Sequence, residues 1–158
     1  MNIFYLDNDI KQCAQYHCDA HVVKMILESA QMLCTVLHQQ GIEAPYRPTH
    51  ANHPCVVWLG ESLDNWLWLK QLAFALNDEY RYRYNKKDDH KSIGVVKELS
   101  LPPLKSLGIT ERPQTMPEQY KVTGDPVAAY RQFYLAEKSH LLKYTKRNFP
   151  SWVISQSI

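Results

Sequence analysis

Four side chains suited to proton transfer or amine chemistry recur at helical spacing near the start of the chain. They are His17, His21, Lys24 and Glu28. At i, i+4, i+7 and i+11, these side chains fall on one stripe of an α-helix. Apolar residues occupy the opposite side, which predicts that this side packs in a core. We therefore predict a helix across residues 9–41 whose stripe lines a functional cleft, with the four residues as catalytic candidates.

Two interpretations of this stripe are open. Charged residues on one side of an amphipathic helix usually face water, and Lys24 and Glu28 have the spacing of a surface ion pair. Two histidines one turn apart favour the cleft, because imidazole is the side chain that titrates near neutral pH. A helix of this length also has room for a break or a kink midway.

The loop that follows this helix is rich in side chains that bind substrates. One interpretation is that these side chains line the cleft. The other is a polar connection in which a histidine or an asparagine caps the next helix, with Pro54 at the first helical position. The two interpretations are compatible. We predict that four residues of this loop line the cleft over the helical stripe: Arg47, His50, Asn52 and His53.

The middle of the chain predicts a second long helix and then a proline-rich segment. Residues 54–84 are apolar nearly all round in their middle part, as the buried central helix of a domain usually is. Residues 91–100 hold a short helix at best. Residues 101–124 contain four prolines with apolar residues between them, which predicts an ordered strap across the domain.

The last part of the chain predicts one more helix and a packed tail. Asp125 and Pro126 supply a cap and a proline for the first helical position. The aromatic tail at residues 148–152 is expected to pack back on the body. The predicted fold class is all-α: one domain over residues 1–158, in which two long helices pack with a C-terminal helix and the strap.

Basic residues cluster at two helix ends. In the first cluster, at the end of the second helix, arginines alternate with tyrosines; the second cluster lies at the far end of the last helix. Cations contact phosphates and aromatic rings stack on bases, so both clusters predict nucleic-acid binding. Solvated helix ends, where the helix dipole favours cations, are the alternative. The candidate residues are Arg81, Arg83, Lys143, Lys146 and Arg147.

Composition narrows the class of protein. The net charge of +2 and the pI near 8.3 permit nucleic-acid binding without arguing for it. No secretion signal or membrane span is visible, and no glycine-rich phosphate loop indicates a nucleotide kinase or dinucleotide enzyme. The cysteines lack a CxxC pair, which favours reduced, buried thiols in a cytoplasmic protein. They are Cys13, Cys18, Cys34 and Cys55.

The histidines leave two chemistries open. Two imidazoles at i,i+4 can bind one metal ion, with His50, His53 or Glu28 completing the shell. A zinc site that combines Cys18 with a histidine of the stripe is a related alternative. The competing chemistry needs no cofactor: a histidine or a glutamate moves protons, and Lys24 acts as an amine nucleophile or stabilises negative charge.

The order of several short motifs points to a known family. His17 lies early in the first helix and His53 opens the second. Met-Pro-Glu-Gln-Tyr at residues 116–120 and Arg-Asn-Phe-Pro-Ser-Trp at residues 147–152 follow, on either side of an Ala/Tyr/Lys helix. In this order the chain resembles the pyrimidine-dimer DNA glycosylase/AP lyase family, also called the endonuclease V excision-repair family, whose members are small all-α proteins.

The resemblance implies a helical domain that straddles the DNA backbone and flips a base out of the stack. It also implies an amine that attacks the sugar through a Schiff base, assisted by a glutamate on the first helix. In the family the amine is the chain's own amino terminus after methionine removal. This chain begins Met1-Asn2, and asparagine is bulky enough that we expect Met1 to stay. Glu28 is the nearest counterpart of the glutamate, and Lys24 is a candidate replacement for the amine.

The working hypothesis is an enzyme with glycosylase/lyase-like chemistry, whose partner is DNA or a nucleotide and which has no membrane partner. His17 and His21 would position or protonate the substrate, Lys24 would supply the amine or bind phosphate, and Glu28 would be the general acid/base. Two alternatives stand beside it. One is a metal-dependent hydrolase that uses the histidine cluster, and the other is a non-catalytic relative that binds nucleic acid or protein.

Overall fold

Seven α-helices make up the part of the chain that the computed structural model describes, residues 1–154, and no strand occurs there. This confirms the all-α prediction. Two short 3-10 turns, Glu118–Tyr120 and Ser139–Leu141, accompany the helices. The helices are α1 (Ile10–Tyr16), α2 (Asp19–Gln39), α3 (Pro54–Glu61), α4 (Leu63–Arg83), α5 (Lys91–Glu98), α6 (Pro126–Glu137) and α7 (Ser151–Ile154).

The first long helix breaks after its first two turns. Asp9 caps α1 by accepting from the Gln12 amide at 2.8 Å, and Gly41, at φ 76°, follows the end of α2 as predicted. Between the two helices, His17 and Cys18 adopt extended backbone, with ψ of 135° and 160°. The predicted single helix over residues 9–41 is therefore two helices.

The second long helix is also divided, and here the prediction of one helix over residues 54–84 is wrong. Ser62 has extended backbone (φ −155°) and ends α3. Its hydroxyl accepts from the Asp64 amide at 3.3 Å, which caps α4, and from the Leu107 amide at 3.0 Å. Because Leu107 belongs to the strap, a distant segment stabilises the break.

The core forms where α2 packs against α4 and the short amino-terminal segment. Residues 3–6 are buried, as is nearly the whole inner face of α2. Trp58 and Trp66 are also buried, and the Trp66 indole donates to the Leu33 carbonyl at 3.2 Å. The prediction of a buried central helix is confirmed at Trp66, and the four cysteines are buried free thiols as expected.

The carboxyl-terminal third wraps the other side of this core. Asp125 caps α6 by accepting from the Ala128 amide at 3.0 Å, as predicted. The tail packs back as expected, since the Trp152 ring lies 5.7 Å from that of Tyr16 and 6.2 Å from that of Tyr134. By length and composition alone α2 would suffice to cross a membrane, but 67% of its most apolar stretch is buried inside the domain.

Candidate active site

The α-amino group of the chain lies beside a carboxylate of α2. The Met1 nitrogen is 3.5 Å from Glu28 Oε1, and the two groups are only 4% and 12% exposed. Water screens a pair in this position less than a pair on the open surface. An amine next to a carboxylate provides what Schiff-base chemistry needs, namely a nucleophile and a group that moves its protons.

Asn2 fixes the amino terminus in this place. Its Oδ1 accepts a hydrogen bond from the Tyr130 hydroxyl at 2.8 Å, and its Nδ2 donates to the Thr115 carbonyl at 3.1 Å. Tyr130 belongs to α6 and Thr115 to the strap, so both distant segments hold the first residues against α2. The position of the amine therefore depends on the whole fold.

Lys24 approaches the same carboxylate from the solvent side. Its Nζ lies 3.8 Å from Glu28 Oε2, and its side chain is 68% exposed. The predicted i,i+4 ion pair is therefore present. Glu28 stands between two amines, one shielded from water and one solvated.

His53 joins this pair from the loop before α3. Its Nδ1 accepts from the Cys55 amide at 3.1 Å, which confirms the predicted cap, and the imidazole lies against the backbone of Met1. Burial lowers the pKa of His53, and the amino-terminal charge lowers that pKa further. The neutral ring positions the first residue of the chain beside Glu28.

The break between α1 and α2 changes the arrangement predicted for His17 and His21, the two histidines of the stripe. His17 ends α1 and is not on α2, so the expected i,i+4 relationship with His21 is wrong. Its Nδ1 lies 2.7 Å from the Cys13 carbonyl oxygen, to which it donates, and its Nε2 is buried with no hydrogen-bond partner in the described part of the chain. His21 is stacked on Phe4, with ring centroids 4.5 Å apart.

Both imidazoles are therefore core groups. Burial lowers the pKa of His17 to about 4 and that of His21 to about 3. The Nδ1 atom of His21 lies 2.7 Å from the Tyr134 hydroxyl, which ties α2 to α6. The hollow predicted to hold all four stripe residues is not formed: Lys24 and Glu28 meet the amino terminus, while His17 and His21 pack inside.

The three other loop residues predicted to line the cleft, Arg47, His50 and Asn52, do not lie together. Arg47 is exposed and lines a cavity of about 470 Å³ between α2, the loop and the start of α5. Asn52 is exposed and lines a larger cavity of about 920 Å³ between α3 and the strap. His50 is exposed with φ 52°, and its Nδ1 lies 2.8 Å from the Thr49 hydroxyl.

The predicted nucleic-acid contacts at the end of α4 have different environments. Arg81 is exposed, donates to the Lys87 carbonyl at 2.8 Å, and lies 3.6 Å from Asp89. The Arg83 side chain is fully buried and paired with Asp19. The prediction that Arg83 binds nucleic acid at the surface is therefore corrected, because its guanidinium is enclosed within the fold.

The three cations near the carboxyl terminus are more accessible. Lys143 is exposed and makes no ion pair with any residue from 1 to 154. Lys146 donates to the Tyr82 carbonyl at 2.9 Å and also to Asn85. Arg147 packs 4.4 Å above the Tyr82 ring and donates to Glu79. Lys146 and Arg147 lie against Tyr82 and form a basic, aromatic surface with it.

The histidines do not assemble a metal shell. Across residues 1–154, no three His, Cys, Asp or Glu side chains are grouped so that they could hold a metal ion. The metal-dependent alternative and the Cys18 zinc alternative both require such a group.

The sequence pattern does not place the chain's first atom at the site, and it offers Lys24 as the candidate amine. The structure puts the Met1 nitrogen itself against Glu28. Helical spacing carries no signal for this contact, and only the resemblance to a family that uses its amino terminus pointed there.

The fold and the site together define a class of small helical protein with its amino terminus set against a carboxylate. A family model described as pyrimidine dimer DNA glycosylase matches residues 1–92 of the 158. The chain therefore belongs to the pyrimidine dimer DNA glycosylase family, which confirms the resemblance and supports a DNA-repair function with DNA as substrate. The matched region includes Met1, Glu28 and His53. No curated protein and no solved structure matches the chain.

Proposed function

We propose that this protein is a DNA glycosylase and AP lyase for pyrimidine-dimer or abasic DNA, with the Met1 α-amine as nucleophile and Glu28 as general acid/base. The observation that carries the proposal is the 3.5 Å distance between the Met1 nitrogen and Glu28 Oε1 in a nearly buried pair. Membership of the family supports the substrate class.

The Met1 amine suits this role better than Lys24. The Met1 nitrogen is the shielded one of the two amines and lies 3.5 Å from Glu28 Oε1, whereas Lys24 is mostly solvated and lies 3.8 Å from the same carboxylate. Lys24 then serves as a solvent-side cation that pairs with Glu28 and attracts the DNA backbone.

The proposed reaction proceeds in balanced steps. The neutral amine donates its lone pair to C1′ of the damaged nucleotide, and the base leaves with the electrons of the glycosidic bond and takes up a proton. Loss of one proton from the nitrogen gives an aminal, and the nitrogen lone pair then forms the iminium at C1′ as the C1′–O4′ bond breaks and O4′ takes up a proton. Removal of a C2′ proton then breaks the C3′–oxygen bond, and the phosphate leaves. Glu28 is the group placed to accept and return these protons.

The test uses duplex DNA that contains one thymine dimer or one abasic site. We expect strand nicking, and we expect borohydride to reduce the iminium to a stable protein–DNA adduct. Tryptic mapping of the adduct locates the amine, because cleavage after Lys11 and Lys24 separates residues 1–11 from residues 12–24. DNA attached to residues 1–11 supports the proposal. Attachment to a peptide that begins at residue 12 and continues past residue 24 would transfer the nucleophile role to Lys24, because trypsin does not cleave after a modified lysine.

Two variants complete the test. Glu28→Gln should slow nicking by about 10²- to 10⁴-fold, the range for loss of a general acid/base. Glu98→Gln removes the same charge from an exposed position on α5 and should leave nicking unchanged. The intact mass establishes whether the reacting amine belongs to Met1 or, after its removal, to Asn2. If wild-type protein neither nicks nor forms an adduct, the enzymatic proposal is wrong.

A further inference from the structure

A cavity beside the amine–carboxylate pair has the chemistry of an anion site. It measures about 470 Å³ and lies between α2, the loop before α3 and the first residues of α5. Its wall carries two cations, two aliphatic hydroxyl side chains and a tyrosine, and it contains no Asp or Glu. The residues that matter for the argument are Leu27, Arg47, Thr49, Lys91 and Ser92.

The two cations of this cavity have no counterion. Arg47 and Lys91 are exposed, and neither lies within ion-pair distance of a carboxylate of residues 1–154. Asp89 is the nearest acid in sequence to Lys91, but Lys97 (2.7 Å) and Arg81 (3.6 Å) already pair with it. The cavity therefore keeps a local positive charge although the whole chain is only weakly basic.

The neutral groups of the cavity also suit a phosphate. Hydroxyl groups and cationic side chains are the side chains that contact phosphate oxygens most often in DNA complexes. The Ser92 hydroxyl lies 3.0 Å from the Tyr46 hydroxyl, and Tyr46 is held in turn because its carbonyl accepts from His38 at 2.9 Å. Thr49 provides the second hydroxyl. Arg47 thus projects from a loop that is anchored on α2.

The cavity and the amine–carboxylate pair lie on the same two segments, α2 and the loop before α3. On α2, Leu27 lines the cavity and the next residue is Glu28. On the loop, the Thr49 amide donates to Thr35 of α2 at 3.1 Å, and the chain then continues to His53, which lies against the Met1 backbone. A sugar held at the amine would bring a neighbouring phosphate towards this cavity.

We propose that this cavity is a subsite for one DNA backbone phosphate next to the reacting sugar, bound by Arg47 and Lys91. The inference rests on the proposed function and deepens it, because it assigns a place to the strand that enters the site. It also adds Lys91, which no sequence motif indicated.

The first test is binding of the full chain to duplex DNA that contains one tetrahydrofuran abasic analogue. The analogue has no aldehyde, so binding does not depend on Schiff-base chemistry. Arg47→Gln and Lys91→Gln should each weaken binding by about 3- to 10-fold and reduce the slope of log Kd against log salt by about 0.9. Lys105→Gln removes an exposed strap cation outside the cavity and should change neither quantity.

The second test identifies the phosphate. A neutral methylphosphonate replaces, one at a time, the phosphates on each side of the analogue. At one of these positions the methylphosphonate should weaken binding of wild-type protein by about 10-fold. The same methylphosphonate should not weaken binding of the Arg47→Gln/Lys91→Gln double variant. If the double variant keeps the wild-type salt slope and the same methylphosphonate loss, the subsite is wrong and the proposed chemistry is untouched. If wild-type protein does not bind the duplex, the subsite and the proposed substrate both fail.

Discussion

Arg83, in the last turn of α4, pairs with Asp19 at the start of α2, with 3.1 Å between Nη1 and Oδ1. The same guanidinium donates to the carbonyls of His17 at 2.7 Å and Gln15 at 2.9 Å. These are carbonyl groups that the end of α1 leaves without helical partners. Arg83, which is distant in sequence, therefore supplies hydrogen-bond donors to these carbonyl groups at the break between α1 and α2.

Glu79 completes this buried network. It accepts from Arg83 Nε at 3.1 Å and from Arg147 Nη2 at 2.7 Å. Burial alone would raise the pKa of Glu79, but the hydrogen bond from Arg147 and the charge of Arg83 outweigh burial and hold that pKa below its ordinary value. The network joins α1, α2, α4 and the carboxyl-terminal segment.

Arg83→Met should destabilise the fold by about 3–5 kcal/mol, because it leaves the buried carboxylates of Asp19 and Glu79 without their shared cation. The measurement is urea unfolding followed by circular dichroism. Arg81→Met removes an exposed cation two residues earlier and should cost less than about 1 kcal/mol. Equal losses in the two variants would show that the Arg83 network adds nothing beyond a surface ion pair.

Stability should fall as the pH drops below 6.5, because His17 and His21 then bind protons in the unfolded chain but stay neutral when buried in the folded protein. Their folded pKa values are about 4 and about 3, so the stabilisation is complete above 6.5 and is lost as the pH falls towards those values. Each histidine contributes a slope of up to about 1.4 kcal/mol per pH unit. His53 and His90, whose pKa values burial also lowers, add to this slope.

Urea unfolding between pH 7 and pH 5 measures this slope. His21→Gln should be less stable at pH 7, because it loses the ring that stacks on Phe4, but its stability should depend less steeply on pH. His140→Gln changes an exposed histidine and should retain the wild-type slope. A variant at position 21 with an undiminished slope would contradict the assignment of this pH dependence to the buried imidazole.

The helices were predictable where local chemistry decides them. The bounds at Asp9 and Gly41, the Asp125 cap and the His53 cap all appear as the sequence indicated. The break at Ser62 was not predicted, because the apolar pattern continues through it. The strap stabilises this break through the Leu107 amide, a contact that no local pattern contains.

The site was predictable only in part for the same reason. Periodicity correctly paired Lys24 with Glu28, which lie on one continuous helix. It failed for His17, because a helical spacing has no meaning across a break. The Met1–Glu28 contact depends on how α6 and the strap hold Asn2, and so it follows from tertiary packing alone.

The variant His53→Asn should separate two roles of His53, the positioning of Met1 and the capping of α3. Asparagine is a good N-cap, so α3 should keep its cap, and stability should stay within about 0.5 kcal/mol of wild type. The contact with the Met1 backbone would be lost, and nicking should slow by about 10- to 100-fold through misplacement of the amine. The expected loss is in kcat more than in KM, measured on abasic duplex.

His50→Asn is the matched control for this variant. His50 is exposed at φ 52°, a conformation that asparagine tolerates well. This variant should retain both stability and nicking rate. A similar loss of nicking in both variants would show that the loop as a whole matters, rather than the contact of the His53 imidazole with the Met1 backbone.

Lys143 and Arg147 should differ in what they contribute, although both were predicted to bind nucleic acid. Lys143→Gln removes an exposed charge that no carboxylate of residues 1–154 neutralises, so the salt slope of DNA binding should fall by about 0.9 with stability nearly unchanged. Arg147→Gln removes both hydrogen bonds to the buried Glu79, at 2.9 and 2.7 Å, and should cost about 1.5–3 kcal/mol of stability. Unfolding and salt-dependent binding measured on both variants test the distinction. A stable Arg147→Gln protein with weakened binding would place Arg147 at the DNA instead of in the fold.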